Sequence, residues 1–168
     1  MTQDERRLYL IKALLAETPR SINDAVPADR DGQWLLLRSL MNVRPALPVS
    51  EDFLKVQDVY LSGLIAETGI TDADTLPAVS SDPRLAVWRG DITTLKIDAI
   101  VNAANSRMEG CWQPCHACID NCIHTFSGVQ LRLRCHELMT RQGYEEPTGQ
   151  AKITPGYNLP ARFVLHTV

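Results

Sequence analysis

The sequence predicts an α/β protein in which a parallel or mixed sheet is covered by helices and preceded by a helical subdomain. Three observations predict it. Ala99-Ile100-Val101 is a continuous apolar run, the mark of a strand buried on both faces. Strand, loop, helix and strand patterns then follow one another to residue 168, an order that implies a sheet with helices packed on it. Before residue 71 the apolar residues recur only at helical spacing.

Residues 2–17 read as an amphipathic helix with Leu8, Ile11, Leu14 and Leu15 on one side. Asp4 and Glu5 suit the positive end of its dipole, and Pro19 is expected to stop it. Trp34 to Met41 is a second helix, closed by Pro45 and Pro48. Ser50 is a good N-cap for a third, with Phe53, Val56, Val59, Tyr60 and Leu64 as its apolar face and Gly69 as its C-cap. Residues 1–70 carry no catalytic pattern and read as a helical extension. Residues 71–84 are rich in turn formers and read as a linker. The third segment, 85–168, opens on a short strand, Leu85 to Trp88. A turn at Arg89 to Thr93 leads into a short helical piece. Val129 to Gln142 is a helix with Leu131, Cys135, Leu138 and Met139 inward and Arg132, Arg134 and Arg141 outward. Gln150 to Thr154 and Phe163 to Val168 are strands. The last of these reads as a core strand in progress, so the chain is expected to be a piece, or a truncated relative, of something longer.

The composition is that of a globular protein, 45% apolar and 22% charged, and the net charge of −3 argues against a general nucleic-acid binder. No apolar run reaches the ~20 residues of a membrane-spanning helix. Met1 to Glu5 is polar and acidic, unlike a signal peptide, and four of the five cysteines are bunched in residues 111–122. Bunched thiols in a cytoplasmic protein point to metal binding or redox chemistry rather than a disulfide framework.

Four motifs carry candidate chemistry. Gly90-Asp91-Ile92 follows a strand; Asp91 reads as a turn cap or, less commonly, a ligand contact. Asn102-Ala103-Ala104-Asn105 follows the buried strand, where open sheets bind ligands; it reads equally as a polar turn or as a place for sugar hydroxyls. Cys111, Cys115, His116 and Cys118 offer thiolate and imidazole ligands. Three of them would leave the open fourth position of a catalytic zinc. The alternative is that Cys115, Cys118 and Cys122 lie along a helix beginning at Pro114 and pack as small hydrophobes, which leaves Cys111 and His116 without a role. Asp120, with Asn121 and His124, opens the following helix, either as a general base or ribose-orienting group or as a favourable first-turn acid.

Taken together, Gly90-Asp91-Ile92, Asp98 to Asn105, and Asp120-Asn121-Cys122-Ile123-His124 resemble a macrodomain of the ADP-ribosyl hydrolase type. Gly110-Cys111 with His116-Ala117-Cys118-Ile119-Asp120 is similar to the zinc-containing macrodomains, as are Gln142 to Ala151 and Leu165 to Val168. The resemblance implies a three-layer α/β/α macrodomain with a mixed central sheet, incomplete here, after a helical N-terminal extension. It implies that Asp91 binds the adenine amine, that Ile92 contacts the ligand through its backbone, and that Asn102, Ala103 and Asn105 line the ribose and phosphates. Asn105 and Asp120 would hold the distal ribose and a water. Zn2+ on Cys111, His116 and Cys118 would act as a Lewis acid near that ribose, leaving Cys115 as a surplus thiol. The implied activity is hydrolysis of mono-ADP-ribose from protein side chains, in a system with a sirtuin-like ADP-ribosyltransferase. Family members continue beyond the His166-Thr167-Val168 strand with a glycine-rich diphosphate loop. The other readings are an ADP-ribose reader without turnover and a product with only a structural zinc or redox cluster.

Overall fold

The computed structural model describes residues 1–17 and 25–168. Three helices come first: α1 (Gln3–Glu17), α2 (Arg30–Val43) and α3 (Glu51–Thr68). Pro19 lies outside the described residues. Ser50 caps α3 as expected, its hydroxyl accepting from the Phe53 amide, and Gly69 closes it at φ 97°. The three helices bury Leu10, Ile11, Leu37, Phe53, Tyr60 and Leu61 in a common core. Val59 is not part of it and is half exposed; the inward positions of α3 are Phe53, Gln57, Tyr60, Leu61 and Ile65.

Residues 71–84 hold more order than a linker. β1 (Thr71–Asp72) pairs in parallel with β4 (Leu95–Lys96), and β2 (Ala78–Val79) forms a small antiparallel ribbon with β3 (Asp82–Ala86). The strand expected at 85–88 is therefore displaced toward the N-terminus. Leu85 and Val87 are exposed, and among the described residues its only ladder partner is β2, because a two-stranded ribbon without a covering layer cannot bury an apolar run.

The main sheet has three strands in the order β5 (Ala99–Ala103), β7 (Phe163–Thr167), β6 (Ala151–Pro155). β5 and β7 run parallel with Ala99 opposite Phe163, and β6 returns antiparallel with Ala151 opposite Thr167. Two helices cover one face: α4 (Ile119–Ser127) and α5 (Val129–Gln142). Ile123, Leu131 and Cys135 pack there on Ile100 and Val164. The opposite face shows Val101, 54% exposed, and Ile153, 56% exposed. The run 99–101 is thus buried on one face only, which corrects the expectation of a strand covered on both. The two cores interlock, since Val129 of α5 joins the helical cluster and Ile65 of α3 joins the sheet cluster. Gln57 makes the joint polar as well as apolar: its side-chain carbonyl accepts from the Val129 amide at 2.9 Å.

α5 has the expected bounds, but Arg132 does not face solvent. It is 5% exposed, donates to the carbonyls of Glu109, Met41 and Arg44, and stacks 4.2 Å from the Trp112 ring centroid. No helix among the described residues is long and apolar enough to cross a membrane.

Candidate functional site

The site forms where the C-terminal end of β5 meets the N-terminal end of α4. The chain leaves β5 at Ala103, loops through residues 104–118 and enters α4. Gly110 lets the loop lie flat on the polar core: its φ is 82°, and a side-chain carbon there would sit 2.8 Å from the His124 ring. Only glycine meets both demands at once. The loop then presents Cys111, His116 and Cys118, whose ligand atoms all lie within 4.8 Å of one another. The Cys111 Sγ to His116 Nδ1 distance is 3.7 Å. Tetrahedral zinc, with bonds of about 2.3 Å to sulfur and 2.0 Å to nitrogen, separates such atoms by roughly 3.5 Å. The donor set therefore fits a zinc ion with small adjustments.

Cys118 is the N-cap of α4, its Sγ accepting from the Asn121 amide at 3.4 Å. Burial pushes the Cys118 thiol up; the Asn121 amide opposes this, and the neighbouring Cys111 adds to it. Residues 114–118 form no helix, so Cys115, Cys118 and Cys122 do not line one helical stripe. Cys115 adopts φ 53° and turns its thiol to the Leu35 carbonyl, away from the donor set.

Asp120, in the first turn of α4, is 5% exposed. Its Oδ1 accepts from Asn102 Nδ2 at 2.8 Å, and its Oδ2 faces Asn105 Nδ2 at 3.5 Å. Asn105 also donates to the Gly110 carbonyl, tying the loop to the strand end. Burial raises the Asp120 carboxyl; the Asn102 amide and the charge of Arg132 hold it back.

Asn102 differs from its expected place. It is wholly buried, and its amide spans Asp120 and His166 Nδ1, the latter at 3.1 Å. With the amide donating to both, His166 carries its proton on Nε2 and gives it to Thr154 Oγ1 at 2.9 Å. Asn102 thus holds Asp120 from within β5. Burial lowers His166 to about 4 and takes His124 well below the ordinary imidazole range, so both rings are neutral.

His124, Cys135 and His166 form a second close group of metal-type donors. It is buried throughout, His166 already uses both ring nitrogens, and burial pushes the Cys135 thiol to about 12. A metal would have to displace the Cys135 proton and a buried hydrogen bond of His166, so the group reads as polar core.

Asp91 and Ile92 stand on a separate turn before β4. Asp91 Oδ1 caps the short 3-10 helix Ile92–Thr94, accepting from the Thr93 amide and hydroxyl at 2.9 and 2.7 Å. Ile92 packs partly on the sheet core, and Ala103 is exposed at the end of β5. The structure thus brings Asn102, Asn105 and Asp120 together by hydrogen bonds beside Cys111, His116 and Cys118. The sequence reading missed His166, Arg132, Arg38 and Asn42. For His166 a signal existed, since it shares strand parity with the buried Val164; the other three meet the site across large sequence distances.

The fold is a macrodomain α/β fold, and the Macro domain family model matches residues 101–168. A solved macrodomain of Trypanosoma brucei in complex with ADP aligns at a TM-score of 0.52 and 30% identity, covering 80% of this chain and 59% of that one. The same protein in complex with ADP-ribose aligns at 0.52 and 29%, covering 78% and 58%. Among curated proteins, the chain is 61% identical over its whole length to a "Protein-ADP-ribose hydrolase" of Treponema medium and 54% identical over 95% of its length to one of Staphylococcus aureus. It spans 65% and 59% of the length of those relatives. A Fusarium oxysporum protein named "Probable bifunctional ADP-ribose hydrolase/ADP-ribosyltransferase" is 41% identical over 79% of this chain and 24% of its own.

Proposed function

We propose that this chain carries the metal and distal-ribose part of a zinc-dependent hydrolase that removes mono-ADP-ribose from modified protein side chains. The observation behind the reading is the convergence of a buried carboxylate, Asp120, an amide, Asn105, and a two-thiol, one-imidazole donor set at the start of α4. The names of the Treponema and Staphylococcus relatives and the ADP-ribose complex of the Trypanosoma macrodomain support the substrate class.

Cys111, His116 and Cys118 would hold zinc, which would supply Lewis-acid polarisation near the distal ribose. Asn105 and Asp120 orient the distal ribose and a water. Asp120 takes the water's proton as its oxygen bonds to C1″, the bond from C1″ to the protein side chain breaks, and the proton passes to the leaving side chain. Burial of Asp120 makes it a stronger base than a solvated carboxylate. The Asp91 cap uses Oδ1, which leaves Oδ2 for an adenine amine, with the Ile92 backbone and Ala103 along the ligand. All five cysteines are free, which suits a reducing cytoplasm. The joint naming of hydrolase and transferase in the Fusarium protein supports pairing with a sirtuin-like ADP-ribosyltransferase.

The test is release of ADP-ribose from a mono-ADP-ribosylated protein. Asp120→Ala and chelation should each lower the rate by about 100-fold or more, the scale of losing a general base. Full activity in the Cys111→Ala, His116→Ala double variant would remove zinc from the mechanism. Calorimetric binding of ADP-ribose with no release would make the chain a reader.

A further inference from the structure

We infer that helix α2 of the helical extension is part of the metal site, with Arg38 and Asn42 as the positioning residues that set the spacing of Cys111, His116 and Cys118. The inference rests on reading those three residues as zinc ligands. Arg38 and Asn42 lie four residues apart, on one side of α2. Arg38 Nη2 donates to the His116 carbonyl at 2.8 Å and to Asn121 Oδ1 at 2.9 Å, and lies 3.6 Å from Cys122 Sγ. Asn42 Oδ1 accepts from the Cys115 amide at 2.9 Å, so it pins the left-handed turn that aims His116. Asn42 Nδ2 donates to Thr125 Oγ1 at 3.0 Å, and that hydroxyl donates to the Asn121 carbonyl.

Asn121 is the hub. Its amide N–H caps onto Cys118 Sγ, its side-chain N–H groups reach the carbonyls of Gln113 (2.9 Å) and Cys111 (3.5 Å), and its side-chain oxygen is held by Arg38. Every proposed ligand is therefore tied to α2 either directly or through one residue. The arrangement is not the one that stability alone would favour, because Arg38 Nε is buried without a hydrogen-bond partner among the described residues. A guanidinium presents two donors of one nitrogen in a fixed plane, which a lysine ammonium on a flexible stem does not reproduce.

Outer-shell partners of metal ligands change affinity by about 10–100-fold when removed. Arg38→Ala and Asn42→Ala should each weaken zinc binding by about that factor in competition with a chromophoric chelator. The Co2+-loaded chain should change its d–d spectrum in both variants, since the ligand spacing changes. Zinc should raise the melting temperature of the variants less than that of the parent chain, whereas a purely structural role would lower the zinc-free and zinc-loaded melts equally. Arg38→Lys, which keeps the charge and the helix, serves if the alanine variant does not fold, and should show the same loss. Parent-like zinc affinity and cobalt spectra in these variants overturn the inference alone. No zinc or cobalt bound by the parent chain overturns the zinc reading beneath it, and this inference with it.

Discussion

Asn102 places a neutral amide between a carboxyl group and an imidazole, and so joins Asp120 to His166 and Thr154 in one buried line. That line has a pH dependence. Burial holds His166 at about 4 against an ordinary 6.5. Between those values the unfolded chain binds a proton that the folded chain refuses, so the contribution of His166 is complete above pH 6.5 and is lost as pH falls toward 4. The full loss is on the order of 3 kcal/mol, and about 2 kcal/mol of it falls between pH 6.5 and pH 5. His124, lowered in the same direction, adds to it. Urea unfolding of the zinc-free chain should show a clearly lower midpoint at pH 5 than at pH 7. His166→Gln, which cannot take up the proton, should shrink that difference; an undiminished difference would assign the acid sensitivity elsewhere. The Asn102-Ala103-Ala104-Asn105 motif was visible in the sequence, but the burial of Asn102 was not. Strand parity groups Asn102 with Ile100, yet only the position of Asp120 decides that the amide turns under the site.

Among the elements, α5 shows how far periodicity carries. Its bounds and its inward Leu131 and Cys135 follow from apolar spacing, whereas Arg132 does not, because spacing assigns a charge to the solvent face. Its partners, the carbonyls of Met41, Arg44 and Glu109, lie 91, 88 and 23 residues away. Together they turn a surface-type residue into a buried strut between α2 and the loop at residues 104–118. Arg132→Met leaves those carbonyls short of a donor and removes the stack on Trp112, and should cost on the order of 3 kcal/mol in denaturant unfolding. Arg134→Met, two residues on and more exposed, should change stability by less than about 0.5 kcal/mol. Equal effects would deny Arg132 its structural role. The displaced strand at 82–86 is the opposite case. Leu85 and Val87 look like core in sequence because β-propensity does not say whether a second layer exists to cover the strand.

At the scale of the whole molecule, the helical extension and the sheet share side chains across their boundary. Ile65 of α3 sits in the sheet core, Val129 of α5 sits in the helical core, and the α2 contacts reach Cys115 and His116 in the loop before α4. The sequence separates these parts by composition, because composition changes at residue 71, but packing does not respect that change. A chain joined in this way should melt in one transition, followed by far-ultraviolet and tryptophan signals alike, with Trp34 reporting on the helices and Trp112 on the loop. Because the proposed zinc and ADP-ribose sites belong to that one cooperative unit, each ligand should move the whole transition. At a hundredfold excess over its dissociation constant either adds about 2.7 kcal/mol. Melting with zinc, with ADP-ribose and with both separates the roles. Zinc alone raising the transition marks a folded metal core without a working ribose cleft. A further rise with ADP-ribose, lost in Asn105→Ala, places the sugar at the strand end beside the metal. Two separate transitions, with zinc moving only the one seen by Trp112, would break the helices from the site and remove the basis for α2 as its support.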